Sequence, residues 1–328
     1  MNKPAVCIAT IRPEQFMAWA EVWREEFKQE GVQVFVMVDA DKVSTDFSRA
    51  PITGQFFCHE MVSDQLGDKR WIIPSKTSAC KSFAIYKAWK AGCDPIMVLD
   101  DDCLPGDGLI AKHKTNLQRC AHNAVVSTTW HVRPRGTPHI EPRPIALSHG
   151  LWQDNPDIDA MTQLAGCSLT GDGFPNINIA QGALFPMSGM NLAFRREIAP
   201  LMYFGLQGPT WGVDRFDDIW CGFLAKKVLD HCGYAVWSGT PYVRHVKASD
   251  PFVNIVKEAP GYKMNVELYQ WAMKHTAAGE GIKETSETLA FSLETWGKLN
   301  GNNDYWLKYA QAIQTWLTLF EPEPAFGI

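Results

Sequence analysis

The sequence lacks the features of a nucleic-acid-binding, zinc-finger or disulfide-stabilised protein. Its 31 basic and 36 acidic residues give a net charge of −5, so there is no overall basic character to attract a polyanion such as nucleic acid. The nine cysteines include no Cys-x-x-Cys pair and are odd in number. This pattern argues against a zinc knuckle and against a disulfide framework, and it favours a reducing compartment.

Long apolar runs and the common nucleotide-binding loops are also missing. No stretch reaches the roughly 18 consecutive apolar residues that a membrane span needs, and the N-terminus has no signal-peptide core. We therefore expect a soluble, cytoplasmic protein without a membrane span. The absence of a Gly-x-x-x-x-Gly-Lys-Ser/Thr loop, and of Gly-x-Gly-x-x-Gly after the first strand, disfavours a P-loop NTPase and a flavin- or nicotinamide-dependent enzyme.

Apolar segments in the first third of the chain predict an α/β fold. Residues 5–9 and 96–99 are continuous apolar runs, and residues 32–38 are apolar except for Gln33, a pattern typical of strands buried on both faces. Two helical patterns separate them, the first opening at Pro13 and the second following Ser78. Strands and helices alternating at these lengths predict right-handed βαβ units and a mostly parallel sheet flanked by helices.

Charged residues follow the predicted strands. Arg12 comes after the first strand, Asp39 after the second, and residues 100–102 form three consecutive aspartates after the third. Ligands of open α/β sheets bind outside the carboxyl ends of the strands, so these side chains are candidate site residues. Adjacent carboxylates repel, and a hard divalent cation with oxygen ligands would relieve that repulsion. A solvated acidic turn is the alternative interpretation of the aspartates.

The remainder of the chain is less regular until its C-terminal part. Residues 130–190 are rich in Pro, Gly, Asn and His, which predicts loops and short strands over the sheet edge. Asp217 and Asp218 open an apolar helix, where the helix dipole alone would also favour acidic residues. Apolar stripes after residue 261 predict helices that serve either internal packing or a homo-oligomer surface.

A series of idiosyncratic motifs resembles the reversibly glycosylated polypeptide family, whose members include UDP-arabinopyranose mutases. The motifs run in family order over roughly residues 5–260. They are ATIR at 9–12, KTSAC at 76–80, LDDDC at 99–103, SHGLW at 148–152, PDIDA at 156–160, TQL at 162–164, FPMSGMNLAF at 185–194, MYFGL at 202–206, RFDDIW at 215–220 and HVKASDPFVN at 245–254.

The resemblance implies a glycosyltransferase A-type α/β fold in residues 1–260, with residues 261–328 as a C-terminal helical extension packed on it. It implies a UDP-sugar substrate and Mn²⁺ or Mg²⁺, without flavin. The predicted metal ligands are Asp100, Asp102 and His245. The predicted nucleotide-binding residues are Arg12, Asp39, Lys76, Asp100, Asp101 and Lys247. The predicted catalytic residues are Asp217, Asp218, His149 and Arg215.

The implied reaction is the interconversion of UDP-arabinopyranose and UDP-arabinofuranose. In plant members of the family, an arginine before the SHGLW motif carries a reversible self-glycosylation. The matched position here is Ile140, which has no side-chain nitrogen to accept a sugar. Ile140 and the unusual loops at 130–145 favour one alternative, a glycosyltransferase that moves the sugar to an acceptor. The C-terminal apolar stripes suggest another, a UDP-sugar-binding protein without turnover.

Overall fold

The fold is seen in a computed structural model that describes residues 2–126, 138–166, 174–246, 250–299 and 304–321. Its strands are β1 (Ala5–Thr10), β2 (Gln33–Val38), β3 (Gly54–Phe57), β4 (Ile96–Leu99), β5 (Cys103–Leu104), β6 (Cys120–Val126), β7 (Pro138–Asp154), β8 (Ile177–Asn178), β9 (Asn191–Phe194) and β10 (Ala235–His245).

The helices cover both faces of the sheet and the C-terminal part of the chain. They are α1 (Pro13–Glu30), α2 (His59–Leu66), α3 (Ala79–Lys90), α4 (Leu109–Leu117), α5 (Ala160–Leu164), α6 (Asp217–His231), α7 (Pro251–Lys274), α8 (Gly281–Leu299) and α9 (Asp304–Leu317). Short 3₁₀ segments occupy Phe47–Arg49, Gly67–Ile72, Arg196–Leu201 and Thr318–Phe320.

One mixed sheet runs through the fold in the order β3-β2-β1-β4-β9-β7-β10-β5. The four strands at its start are parallel, as the alternation of strands and helices predicts. Strand β9 is antiparallel to both β4 and β7, whereas β7 and β10 are parallel to each other. The predicted α/β fold, a sheet flanked by helices, is therefore confirmed, with a sheet that is more mixed than the sequence indicates.

This topology brings several chain ends to one edge of the sheet. Because β9 is antiparallel to β4 and to β7, strands β1, β2, β4, β7 and β10 all end at the same edge. The loop that enters β9 reaches that edge as well. Residues far apart in sequence, such as Arg12, Asp102 and His245, are thereby collected at one place.

The prediction of loops and short strands for residues 130–190 is wrong for residues 138–154, because β7 is a strand of 17 residues. It contains Pro138, Pro142 and Pro144, which obscure the strand pattern, since proline cannot donate a hydrogen bond to a neighbouring strand. Those prolines face β6 in a separate antiparallel pairing, and the strand enters the main sheet only beyond them. The buried residues 145–149 then show no polar alternation that would distinguish a strand.

The C-terminal helices pack on the rest of the chain through aromatic side chains. Trp306 lies 4.9 Å from Trp220 of α6 between ring centroids, and Trp316 stacks on Tyr203 at 5.4 Å. Of the two interpretations of the C-terminal stripes, the structure shows internal packing; a homo-oligomer stays a prediction. The predicted boundary at residue 260 falls inside α7, so a division into 1–260 and 261–328 would cut one continuous helix.

The packing of Trp316 generates a stability prediction. Its side chain is fully buried, and its Nε1 donates a hydrogen bond of 2.9 Å to the carbonyl oxygen of Pro200. We expect Trp316→Ala to lower the free energy of unfolding by about 3–5 kcal/mol, the usual cost of deleting a buried aromatic side chain. Trp71→Ala, at a tryptophan that is 36% exposed, is the matched control and should cost much less. Urea unfolding checks both, and equal losses would contradict the assigned packing.

Candidate functional site

The middle aspartate of the acidic run is anchored by the strand beside it. Asp101 is buried, and its Oδ2 accepts a hydrogen bond of 2.7 Å from the hydroxyl of Thr10 at the end of β1. Its Oδ1 pairs with the guanidinium of Arg12, and Gln15 donates to its backbone carbonyl at 3.1 Å. Asp101 therefore orients Arg12, whose side chain remains 47% exposed and accessible to a ligand.

The first aspartate is paired with a lysine that the sequence analysis does not identify. Lys81, in the first turns of α3, forms an ion pair with Asp100. Burial acts to lower the pKa of Lys81, but the carboxylates of Asp100, Asp217 and Asp218 outweigh it and raise that pKa above its ordinary value. Lys81 therefore stays charged and links the strand end to the start of α6.

The third aspartate faces His245, as predicted. Oδ2 of Asp102 lies 3.7 Å from Nε2 of His245, because His245 pairs with Cys103 between β10 and β5. The carbonyl oxygen of Asn155 lies 2.8 Å from Nδ1 of His245; since a carbonyl only accepts, Nδ1 must carry a proton. In the neutral ring, Nε2 then presents a lone pair to a carboxylate, so this pair requires a proton or a metal cation between its members.

The surroundings of the pair fit a divalent metal. A metal-binding histidine commonly donates its other ring N–H to a backbone carbonyl, which is the arrangement of His245 and Asn155. Burial acts to raise the pKa of Asp102, but the hydrogen bond and charge of His245 outweigh it and lower that pKa. The carboxylate is thus available as a ligand, and Asp102 with His245 would hold the ion, while Asp100 as a third ligand stays a prediction.

A second group of acids lies on the other side of Lys81. Oδ2 of Asp218 accepts a hydrogen bond of 2.8 Å from the backbone N–H of Gly189, in the loop that enters β9. Burial and then the charges of Asp217 and Asp157 raise the pKa of Asp218 well above its ordinary value. Asp157 accepts a hydrogen bond of 2.5 Å from the hydroxyl of Ser188. Asp218 is therefore a carboxyl group that retains its proton more readily than an exposed aspartate.

His149 is buried behind this loop, and its side chain has almost no contact with solvent. Its Nε2 accepts a hydrogen bond of 3.1 Å from the backbone N–H of Ser188, so its Nδ1–H donates to the hydroxyl of Ser238 at 3.1 Å. Burial, followed by the nearby His113, lowers the pKa of His149 to about 3. Both ring nitrogens are engaged and the ring is neutral. The geometry thus favours a positioning role for His149 over the predicted catalytic one.

The end of β2 has its own cluster. Oδ1 of Asp39 lies 2.7 Å from Nε2 of His59, the first residue of α2, and its Oδ2 accepts a hydrogen bond of 2.8 Å from the backbone N–H of Lys76. Lys76 has a φ of 59°, an unusual backbone conformation for a residue other than glycine. Asp39 and Lys76, both predicted to bind nucleotide, are therefore in direct contact.

Two other predicted residues remain. Arg215 has a φ of 74°, is exposed, and donates to Oδ1 of Asn254 at 3.0 Å, so it lies between α6 and α7. Lys247 lies outside the described residues.

The sequence comparisons can now be placed beside this geometry. A family model described as "Reversibly glycosylated polypeptide" matches residues 2–323. The chain belongs to the reversibly glycosylated polypeptide family. It is 32% identical to a "Probable UDP-arabinopyranose mutase 1" of Pisum sativum, with 96% of this chain and 90% of that protein covered. It is also 32% identical to "UDP-arabinopyranose mutase 3" of Arabidopsis thaliana, with 96% and 90% covered.

Among solved structures, the fold is similar to glucosyl-3-phosphoglycerate synthase from Mycobacterium tuberculosis, determined with Mn²⁺, UDP and phosphoglyceric acid. The identity is 13%, the TM-score is 0.43, and 85% of this chain and 81% of the other are covered. Within the described part of this family member, no helix has the length and apolarity needed to cross a membrane.

Three residues near the site were not identified by the sequence analysis: Lys81, Asp157 and Ser188. Each lies in or beside a family motif, at 76–80, 156–160 and 185–194 respectively. Lys81 follows KTSAC by one residue, on the helical face that turns toward Asp100. The signal was therefore present, but nothing in a linear pattern shows that these motifs meet around one set of carboxylates.

The buried position of His149 predicts a pH dependence of stability. An unfolded histidine titrates near pH 6.5, whereas folded His149 does so at about 3. The contribution of His149 to the free energy of unfolding is therefore fully present above pH 6.5. It is lost as the pH falls below that value, because the histidine gains a proton in the unfolded chain and not in the folded one. By pH 5 this one ring should cost about 2 kcal/mol.

We expect His149→Gln to reduce the difference in unfolding free energy between pH 7.5 and pH 5 by about that 2 kcal/mol. The exposed His231→Gln variant is the control and should keep the wild-type difference. Urea unfolding at the two pH values provides the measurement. An unchanged pH dependence in His149→Gln would show that His149 is not buried in the neutral form.

Proposed function

We propose that this protein is a metal-dependent UDP-sugar mutase that interconverts UDP-arabinopyranose and UDP-arabinofuranose. The observation that carries the proposal is the pair of Asp102 and His245, which has room for a metal cation in place of a proton between its members and lies at the carboxyl edge of the sheet. Relatives named UDP-arabinopyranose mutase at 32% identity over 96% of the chain support the choice of substrate.

The nucleotide would bind along the edge formed by β1, β2 and β4. Arg12 is held by Asp101 with its guanidinium accessible, which suits a diphosphate or a uracil carbonyl. Asp39 and Lys76 lie together at the end of β2, where hydroxyl groups of a ribose would be in reach of a carboxylate. Asp100 and Lys247 complete the proposed nucleotide site.

Mn²⁺ or Mg²⁺ held by Asp102, His245 and Asp100 would neutralise charge on the departing diphosphate. Lys81 contributes a fixed positive charge between Asp100 and the acids of α6, and it needs no metal to do so. Since departing UDP gains negative charge, preorganised cations lower the barrier to its departure.

The carboxyl groups at the start of α6 suit the remaining chemistry. While UDP is detached, the oxygen of one sugar hydroxyl would bond to the anomeric carbon and give up its proton. The former ring oxygen would then leave that carbon and take up a proton as UDP bonds there again. Asp218 retains a proton because burial and the neighbouring Asp217 and Asp157 raise its pKa, so it suits the delivery step. Asp217 would then accept a proton or orient a hydroxyl, with Arg215 at the rim. His149 would act through Ser188, by holding the loop that carries Gly189.

A glycosyltransferase that moves the sugar to an acceptor is the second candidate, and Ile140 is the observation that favours it. The residue lies in β7 opposite Ala124 of β6 and supplies no nitrogen for a covalent sugar adduct. A reaction without that adduct could end on a separate acceptor.

The eight cysteines among the described residues are free thiols, which supports the cytoplasmic location included in this proposal.

Substitution of the metal-binding pair tests the leading proposal. We expect Asp102→Asn and His245→Asn each to weaken Mn²⁺ binding by at least about 10- to 100-fold, because each removes a ligand or its charge. Free Mn²⁺ measured by electron paramagnetic resonance gives the affinity. Asp107→Asn, at a fully exposed aspartate just beyond the acidic run, is the matched control. Wild-type affinity in both site variants would refute the assigned metal site.

Conversion of the substrate is measured separately. Wild-type protein with Mn²⁺ should convert UDP-arabinofuranose to the pyranose form, resolved by anion-exchange chromatography, and Asp102→Asn and His245→Asn should lose this conversion. UDP release that occurs only with an added acceptor would instead support the glycosyltransferase. If neither activity appears while UDP binds, the proposed turnover is wrong.

The position of Ile140 gives a further prediction. We expect the intact mass of the wild-type protein to show no arabinosyl adduct after incubation with UDP-arabinopyranose and Mn²⁺, while its mutase activity persists. Ile140→Arg restores the nitrogen found in plant members, and Ile140→Lys is its control with a different basic group. A wild-type adduct would show that another residue of this chain accepts the sugar.

A further inference from the structure

A second cluster of ligating side chains lies at the end of β2, apart from the pair formed by Asp102 and His245. It consists of Asp39, His59 and Cys80, whose ligand atoms all lie within 4.8 Å of one another. Nε2 of His59 is 2.7 Å from Oδ1 of Asp39 and 4.0 Å from Sγ of Cys80. Oxygen, nitrogen and sulfur atoms with lone pairs thus converge on one point.

The arrangement differs from a hydrogen-bonded catalytic triad. In a triad, the carboxylate bonds one ring nitrogen of the histidine and the nucleophile bonds the other. Here both Asp39 and Cys80 approach the same nitrogen, Nε2 of His59. A single N–H can serve only one of them, whereas a metal ion could be bound by all three.

Each ligand is held in place by a neighbouring backbone group. The N–H of Lys76 occupies Oδ2 of Asp39 at 2.8 Å, which leaves Oδ1 directed at His59. The backbone N–H of His59 donates to the carbonyl of Ala40 at 3.0 Å, and that of Cys80 donates to Thr77 at 3.2 Å. The contact to Oδ2 of Asp39 is of the outer kind that orients ligand side chains in known metal sites, and the other two fix the backbone at the starts of α2 and α3.

Accessibility and ligand type indicate which ions would bind. Cys80 is fully buried, whereas the side chains of Asp39 and His59 are 14% and 16% exposed, so an ion could enter from their side. One thiolate, one imidazole and one carboxylate suit Zn²⁺ or Co²⁺, whereas Mn²⁺ and Mg²⁺ favour oxygen ligands. Three protein ligands also leave the fourth position of a tetrahedral ion open.

We propose that Asp39, His59 and Cys80 form a binding site for one Zn²⁺-class ion, separate from the Mn²⁺ or Mg²⁺ site at Asp102 and His245. Asp39 would bind this ion through Oδ1, so that only its Oδ2 would remain for the nucleotide contact proposed above. The ion would join the end of β2 to the first residues of α2 and α3, beneath the Lys76 turn. It would bind the folded chain and not the unfolded one, and so would stabilise the fold by an amount that grows with the logarithm of its concentration above Kd.

Co²⁺ is the probe, because thiolate coordination produces a charge-transfer absorption band that oxygen and nitrogen ligands do not. We expect the metal-free, full-length protein to bind one Co²⁺ with this band, and Zn²⁺ to abolish the band by displacement. No nucleotide is present, so the result does not depend on the proposed function.

Three variants assign the band to its ligands. Cys80→Ser should lose it, and His59→Asn, at a less buried ligand, should weaken Co²⁺ binding at least about 100-fold, beyond the usual effect of losing an outer-shell partner. Cys103→Ser is the matched control, because Cys103 is equally buried but lies beside Asp102, and it should keep the band.

Thermal unfolding with and without Zn²⁺ gives an independent readout. Zn²⁺ should raise the unfolding temperature of the wild type and of Cys103→Ser, but much less that of His59→Asn. Absence of the band in the folded wild type, or its persistence in Cys80→Ser, would overturn the proposal. The cluster would then be a hydrogen-bonded Asp39 and His59 next to a buried thiol.

Discussion

The organisation of this site depends on repulsion between carboxylates that the fold brings close together. Residues 100–102 end one strand, Asp217 and Asp218 begin a helix, and Asp157 lies between them and His245. Without compensating charge, such a group would be unstable in a partly buried place. Arg12 neutralises Asp101, and Lys81 neutralises Asp100. The raised pKa of Asp218 favours its protonated, uncharged form, which adds no negative charge. Of the three consecutive aspartates, Asp102 is the one whose partner, His245, can itself gain or lose a proton.

This distribution explains why the three consecutive aspartates have different roles. Both carboxylate oxygens of Asp101 are already bonded, Oδ2 to the hydroxyl of Thr10 and Oδ1 to Arg12, so Asp101 serves to orient the arginine. Asp100 shares Lys81 with the acids of α6. Asp102 points to the other side of the strand end, toward β10, where His245 is fixed by Asn155. A strand that ends in a tight turn directs successive side chains in different directions, so one motif supplies three separate contacts.

Buried polar contacts behind the site hold these elements in register. Nε2 of His113 bonds the side chain of Asn191 at 2.9 Å, and its Nδ1 bonds Ser148 at 2.9 Å. The amide of Asn191 donates to the carbonyls of Leu151 and Pro241, so α4, β7, β9 and β10 are joined at one point. Gly150 is required there, since a Cβ would lie 2.1 Å from Nδ2 of Asn191. His149 extends this network to the loop that carries Ser188 and Gly189.

The sequence by itself determined the local elements of the N-terminal half, and its motifs contained many of the residues that the structure brings together at the carboxyl edge of the sheet. The stripe Phe16, Trp19, Ala20, Trp23 and Phe27 is the buried face of α1, because helical spacing alone decides which side chains share a face. Family motifs were sufficient to name Asp102 and His245. Strand β7 was hidden by its prolines, and His149 was assigned to catalysis because a motif does not report burial.

Tertiary structure alone decided which of these groups face one another. Lys81 is an unremarkable lysine in the sequence, and only the crossing of α3 beneath β4 and α6 places it among four carboxylates. Likewise, the antiparallel insertion of β9 sets β10 in the same direction as β4, and so brings His245 to Asp102. Beyond the four parallel strands that the alternation of strands and helices predicts, strand order and direction result from packing over the whole chain, and local sequence patterns do not reveal them.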